Sequence, residues 1–96
     1  MNEILQRAID TYGAENQCLK LIEEMSELTK ALLKIRFADD KGVEHDILMD
    51  AVSEEMADVE IMLEQLHMIY QNHDKVSEYR TKKIERLERR LKSDKL

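Results

Sequence analysis

The chain of 96 residues contains no proline and only two glycines, Gly13 and Gly42. Because proline and glycine interrupt helices more strongly than any other residue, few positions in this chain force a helix to end. Leucine, methionine, glutamate and lysine, which all favour helices, supply much of the remainder. The sequence therefore predicts an all-α protein. It disfavours sandwiches and barrels, which need many more turns.

Apolar residues recur every three or four positions, which is the spacing of one face of a helix. The pattern predicts helices over residues 2–12, 14–36, 44–71 and 75–92. The segment 38–43, with two aspartates and Gly42, is the predicted turn between the two long helices, and His73 with Asp74 marks the predicted break before the last one. We expect an antiparallel bundle of two long helices plus flanking helices, forming one domain over residues 1–96.

The two long helices each carry a predicted apolar seam. The first seam comprises Cys18, Leu21, Met25, Leu28, Leu32 and Ile35, and the second comprises Val52, Met56, Val59, Leu63, Leu66 and Tyr70. Ile22, Thr29 and Leu33 widen the apolar arc of the first helix beyond what one neighbour needs. A domain of this size buries only about 60 to 65% of its unfolded surface. We therefore expect a homodimer or homotetramer to complete the bundle.

Charge and composition exclude several classes of partner. The net charge is −6, but residues 1–79 carry −11 and residues 80–96 carry +5. The acidic part would repel a duplex nucleic acid. No apolar run reaches the roughly 18 residues of a membrane span. A single cysteine, Cys18, and an amino terminus without an apolar signal core favour a cytoplasmic protein.

An acidic motif occurs twice, at an offset of 31 residues. The segment Glu23 to Leu28 reads EEMSEL, and the segment Glu54 to Val59 reads EEMADV. On a helical projection, the second and fifth residues of each motif lie beside the apolar seam, whereas Glu23 and Glu54 face outward. The four flanking acids are Glu24, Glu27, Glu55 and Asp58. Packing along the two seams would bring them to one shared strip.

Four carboxylates on one strip repel each other strongly and need either protons or a bound cation. An oxygen-only donor set favours Mg²⁺, or Mn²⁺, over softer metals. Mg²⁺ held by a few carboxylates usually completes its shell with water and phosphate oxygens. The sequence thus predicts a site for a phosphorylated substrate. The competing interpretation is that these acids are ordinary solvated surface residues.

The EExxE and EExxD motifs, with 27 residues between Glu27 and Glu55, resemble those of the MazG-like all-α nucleoside triphosphate pyrophosphatases. The resemblance covers about residues 12–90. It implies a Mg²⁺-dependent hydrolase that cleaves a nucleoside triphosphate, ribose or deoxyribose, to the monophosphate and pyrophosphate. It also implies that Glu24, Glu27, Glu55 and Asp58 are the metal ligands and that the protein is a helical homo-oligomer.

The resemblance extends to candidate substrate-binding residues. Gln17 follows a stretch with an aromatic residue and a glycine, as in small members of the family, and lies one heptad before Glu24. Lys82, Lys83 and Arg86 match the basic residues that the family often carries after the acidic motifs, and such groups can bind phosphates. For Gln17 the alternative is a plain surface role. For the cations it is pairing with the acidic bundle.

The predicted mechanism has two or more Mg²⁺ ions bridging the four carboxylates and the triphosphate. One carboxylate, Glu24 or Glu27, orients the water that attacks phosphorus in line. Two alternatives stay open at this stage: a phosphoribosyl-ATP pyrophosphatase-like enzyme, and a non-catalytic helical interaction module derived from the same family.

Overall fold

The computed structural model describes residues 2–38 and 43–94, which form four α-helices with no strand among them. The helices are α1 (Asn2–Tyr12), α2 (Ala14–Arg36), α3 (Val43–Tyr70) and α4 (His73–Asp94). The all-α prediction is confirmed, and the predicted bounds of α1 and α2 agree with the structure. Within the predicted turn over 38–43, residues 39–42 lie outside the described part of the chain.

A single residue, Gly13, joins α1 to α2. Its backbone has φ 91° and ψ 144°, a conformation that residues with a Cβ rarely adopt. The Gly13 N–H donates to the carbonyl of Ile9 at 2.8 Å, and the Gly13 carbonyl accepts the N–H of Gln17 at 3.1 Å. Glycine therefore lets α2 start immediately after α1 ends, without losing backbone hydrogen bonds at the turn.

The break between α3 and α4 lies at Gln71 and Asn72, not at His73 and Asp74 as the sequence predicted. Gln71 adopts a left-handed conformation (φ 51°), which ends α3. The carbonyl of Asn72 accepts the N–H of Val76 at 2.9 Å, so that asparagine stands immediately before α4. Asparagine is favoured at such positions, and this preference was the signal for the true boundary.

Helices α2 and α3 pack extensively against each other as an antiparallel hairpin, and α1 contacts both. All the residues that are buried in the described part of the chain lie on α2 and α3. They are Gln17, Leu21, Ala31, Val52, Met62 and Gln65. Two of these six side chains are polar amides. The core that one chain forms is therefore small, in agreement with its size.

The buried face of each long helix is rotated away from the predicted seam, toward the flank that carries the acids. Leu21 and Val52 are buried as predicted, but Met25 and Leu32 on α2 are 43% and 47% exposed. On α3 a stripe at seven-residue spacing is also exposed; its members are Met49, Met56, Leu63 and Tyr70. The predicted seam thus combines two faces, of which only one packs within the hairpin.

Helix α4 is exposed along its whole described length and has no extensive contact with the other helices in the described part of the chain. The Cα radius of gyration is 17.4 Å, against about 12.5 Å for a compact chain of this length. The accessible surface is 8084 Å², against about 5,800 Å² for a compact protein of this mass. No helix in the described ranges is long and apolar enough to span a bilayer.

Candidate metal centre

Three of the four predicted acids converge across the α2–α3 hairpin. Glu24 on α2, and Glu55 and Asp58 on α3, each offer one carboxylate oxygen, and these oxygens lie within 4.8 Å of one another. All three residues are half-buried, and the Glu24 side chain is only 12% exposed. The neighbouring Glu23 side chain, which the helical projection turned outward, is 63% exposed. We call Glu24, Glu55 and Asp58 the acid cluster.

Glu55 is the most constrained member of the cluster. Its Oε2 atom is buried and has no hydrogen-bond partner. Burial raises the pKa of the Glu55 carboxyl above its ordinary value of 4.5, and the charges of Asp58, Glu24, Glu27 and Glu54 raise it further. A buried carboxylate oxygen without a donor is unfavourable unless a proton or a cation satisfies it.

Lys20, one turn before Glu24, supplies a positive charge at the edge of the cluster. Its Nζ lies 3.2 Å from Oε1 of Glu24 and 3.6 Å from Oε1 of Glu23. The hydrogen bond to Glu24 and the charges of both glutamates raise the pKa of Lys20. The Lys20 side chain is 47% exposed, so it can leave Glu24 at little cost when another cation arrives. The sequence interpretation did not include Lys20, although its i,i+4 spacing to Glu24 was visible.

Glu27, the fourth predicted ligand, is not one of the three converging members of the acid cluster. Its side chain is 45% exposed, and its Oε1 lies 3.5 Å from Nζ of Lys30. Its charge nevertheless contributes to the raised pKa of Glu55. The two helices thus supply unequal shares of the acid cluster: α3 contributes Glu55 and Asp58, and α2 contributes Glu24 alone.

Gln17, predicted as a substrate-binding residue, is buried with 7% exposure between α2 and α3. Its Nε2 donates to Oε1 of Gln65 at 2.7 Å, and Gln65 is itself only 3% exposed. Nε2 of Gln65 in turn lies 3.6 Å from Sδ of Met62. Gln65 was absent from the sequence interpretation. Its position seven residues after Asp58, on the acid-bearing flank of α3, was the available signal.

The three predicted basic residues, Lys82, Lys83 and Arg86, are exposed on α4. Nζ of Lys82 lies 3.1 Å from Oε1 of Glu78, one turn earlier on the same helix. Within the described ranges, the ion pairs of α4 are internal to it, at Lys75 with Glu78 and at Lys82 with Glu78. A single chain therefore shows no ion pair between these cations and the acid cluster.

The acid cluster has the chemistry of a site for a hard divalent cation. Its donors are all carboxylate oxygens, they come from two helices that pack together, and Glu55 has a buried oxygen without a hydrogen-bond partner. Comparison with known proteins gives no assignment, because no family model, no curated protein and no solved structure matches the chain. The function must be argued from the site itself.

Proposed function

We propose that this protein is a Mg²⁺-dependent nucleoside triphosphate pyrophosphohydrolase of the MazG-like type, yielding a nucleoside monophosphate and pyrophosphate. The observation that carries the proposal is the buried, unpartnered Oε2 of Glu55 within the acid cluster. The motif resemblance supplies the reaction class, and the cluster supplies the reason for a cation. A single cysteine fits a reducing compartment such as the cytoplasm.

The residues present fit Mg²⁺ or Mn²⁺. Glu24, Glu55 and Asp58 would hold the cation, and Glu55 gains the partner that its buried oxygen lacks. When bound, the cation supplies positive charge that offsets the carboxylates and the phosphate oxygens of a triphosphate. Lys20, whose Nζ lies 3.2 Å from Oε1 of Glu24, would then be free to move to the solvent or to a phosphate.

Glu27 is the better of the two predicted candidates for orienting the attacking water. The Glu24 side chain is 12% exposed and belongs to the acid cluster, whereas the Glu27 side chain is 45% exposed. A carboxylate in that position can accept a hydrogen bond, and then the proton, from a water aimed at phosphorus.

We also propose that the working form is a homo-oligomer. The surface exceeds that of a compact monomer by roughly 2,300 Å², comparable to the area each subunit buries in an obligate dimer. The exposed stripe at Met49, Met56, Leu63 and Tyr70 has the heptad spacing of helix–helix seams. Substituting Met56 by glutamate should lower the mass measured by light scattering, while the exposed Glu54, changed to glutamine, should leave it unchanged.

In such an assembly, Lys82, Lys83 and Arg86 would contact the triphosphate. Within one chain α4 leaves them exposed, whereas a neighbouring copy would bring a basic α4 near an acidic hairpin. The alternative function of these cations is to pair with the acidic surface of the partner. The two functions differ in their kinetic consequence: loss of a phosphate contact raises KM at unchanged assembly, whereas loss of a pairing contact weakens the assembly itself.

The decisive test is pyrophosphate release, assayed separately from orthophosphate, over a panel of canonical and modified nucleoside triphosphates with Mg²⁺, Mn²⁺ or chelator. Metal-dependent pyrophosphate, with a nucleoside monophosphate as the other product, supports the proposal. Phosphoribosyl-ATP belongs in the panel as the substrate of the related enzyme. A folded protein that is silent across the panel, and whose melting temperature is insensitive to Mg²⁺ and Mn²⁺, would instead be a helical interaction module.

A further inference from the structure

The hairpin contains a buried polar pair that the proposed chemistry does not use. Gln17 and Gln65 are 7% and 3% exposed, and a 2.7 Å hydrogen bond joins their side chains across α2 and α3. Each amide belongs to the small set of buried residues, which is otherwise apolar. Polar pairs in apolar helix interfaces are best known for fixing register, because a shifted register leaves both groups buried and unpartnered.

The pair stands in a fixed relation to the acid cluster. Gln17 lies seven residues before Glu24 on α2, and Gln65 lies seven residues after Asp58 on α3. Seven residues are two turns, so each glutamine lies on the same face of its helix as the acid, about 10 Å away along the axis. The hydrogen bond and the cluster are therefore two successive layers of one antiparallel interface.

The apolar contacts alone do not specify this register strongly. The seams repeat every three or four residues, so sliding α3 by one turn still places apolar side chains against apolar side chains. One turn is about 5.4 Å. The oxygens of the acid cluster lie within 4.8 Å of one another, so such a slip exceeds the width of the whole cluster. A cation site at the acid cluster therefore requires an interaction that prevents α3 from shifting by one turn along α2.

We infer that Gln17 and Gln65 are positioning residues that lock α2 against α3 in the register that assembles Glu24, Glu55 and Asp58. The inference rests on the proposed function only in taking the cluster as a cation site. It gives Gln17 a role other than substrate binding, because its amide is already bonded to Gln65. A slipped register would leave both amides buried without partners, and the hydrogen bond therefore selects the assembled site.

The test uses methionine, which is close to glutamine in size and shape but forms no such hydrogen bond. The variants are Gln65→Met, the double variant Gln17→Met with Gln65→Met, and the exposed Gln6→Met on α1 as the matched control. Urea unfolding measures stability, and electron paramagnetic resonance of free Mn²⁺ measures cation affinity. The single variant should be the least stable, because it leaves Gln17 buried and unpartnered.

The double variant separates positioning from stability. We expect it to unfold at or above the urea midpoint of the single variant, yet to bind Mn²⁺ at least about tenfold more weakly than the unsubstituted protein and the Gln6→Met control. Unchanged Mn²⁺ affinity in the folded double variant would overturn the inference. Affinity that falls only in proportion to lost stability across all variants would overturn it as well.

The same proteins distinguish failure of this inference from failure of the proposed function. If the unsubstituted protein binds no Mn²⁺, the proposed function is wrong. Nuclear magnetic resonance then tests separately whether the two glutamines fix the register of α2 against α3. Slowly exchanging Gln17 amide protons, together with a second set of α2 and α3 backbone signals in the double variant, support the lock. A single, unshifted set of backbone signals in the double variant contradicts it.

Discussion

Helices α2 and α4 are nearly equal in length, at 23 and 22 residues, and both are amphipathic, yet only α2 is packed. The hairpin of α2 and α3 holds all the buried residues of the described chain, whereas α4 has none. On α4 the apolar residues Val76, Leu87 and Leu91 are 38%, 48% and 56% exposed. An apolar stripe therefore predicts that a helix will pack, but not that it will pack within its own chain.

The two regions also differ in charge. The acidic residues that matter most, Glu24, Glu55 and Asp58, are gathered where α2 and α3 pack, while residues 80–96 carry +5. Opposite charges kept apart in one chain can meet between chains. The hairpin is thus the part of the molecule that holds the candidate site, and the role proposed for α4 depends on a partner chain that covers it.

Substitutions of Glu24 and Asp58 in the acid cluster should have the largest effect, a loss of catalysis without loss of the helical fold. We expect Asp58→Asn or Glu24→Gln to lower kcat/KM for the hydrolysed triphosphate by at least about a hundredfold, since each removes a charge that the site aims at the cation. Circular dichroism should show an intact helical fold. The matched control is Glu23→Gln, whose side chain is exposed, and retained activity in both cluster variants would refute the site.

Core truncation should distinguish the hairpin from α4. Leu21 is 4% exposed, and Leu21→Ala should lower the free energy of unfolding by about 3 kcal/mol at any protein concentration. Leu87 is 48% exposed, and Leu87→Ala should have an effect that grows with protein concentration, because in the proposed homo-oligomer a second copy covers that face. Urea titrations at two concentrations measure both. A concentration-independent loss at Leu87 would contradict the contrast.

The raised pKa of Glu55 predicts how stability depends on pH in the absence of metal. Because the folded state holds the Glu55 proton more tightly than the unfolded state, folding becomes less favourable as pH rises through the raised pKa, and the penalty disappears as pH falls toward 4.5. Glu55→Gln should therefore raise the melting temperature at pH 7 and lose that advantage near pH 4.5.

The adjacent exposed Glu54, changed to glutamine, provides the control for this pH effect. Its difference from the unsubstituted protein should vary much less with pH. Adding Mn²⁺ at pH 7 should stabilise the unsubstituted protein and the Glu54→Gln variant more than the Glu55→Gln variant. If the difference in melting temperature between Glu55→Gln and the unsubstituted protein stays constant between pH 4.5 and 7, the pKa of the Glu55 carboxyl is not raised in the folded state.

The smallest effect concerns the connection between α3 and α4, at Gln71 and Asn72. Gln71 has φ 51°, a left-handed conformation that glycine adopts at lower energy than residues with a Cβ. Gln71→Gly should therefore raise the free energy of unfolding by about 1 kcal/mol or less. The reverse is expected at Gln6, inside α1, where Gln6→Gly should lower it by a similar amount. Thermal melts compare the two. If Gln71→Gly lowers the stability instead, the Gln71 side chain contributes more to this connection than its backbone conformation costs.

The sequence predicted much of the local structure because the signals are local. The absence of proline and the position of Gly13 set α1 and α2 to within a residue of their observed ends. The start of α4 was misplaced by two residues, since His73 and Asp74 look like breakers while the turn lies at Gln71 and Asn72. The duplicated acidic motif, in phase with both seams, predicted the carboxylates that the fold brings together.

Other features depended on long-range geometry that no periodicity contains. Helical projection placed Glu27 and Glu24 alike beside the apolar seam. Only the packing of α2 against α3 leaves the Glu24 side chain 12% exposed and the Glu27 side chain 45% exposed. The bond between Gln17 and Gln65 joins residues 48 positions apart, so its existence depends on the register of the hairpin. The burial that raises the pKa of Glu55 likewise depends on neighbours from two helices.

The sequence by itself determined that this protein is helical, which residues line the apolar stripes and which acids flank them, because backbone propensity and the 3.6-residue period act over a few neighbouring positions. Only the tertiary structure decided which part of each stripe is buried. In the packed hairpin, the buried face of each long helix is the flank that carries the acids, so the acid cluster forms while Met25 and Met56 stay exposed. Helix α4 is exposed as well. Rotation and register are properties of two helices together, and one helix alone does not specify them.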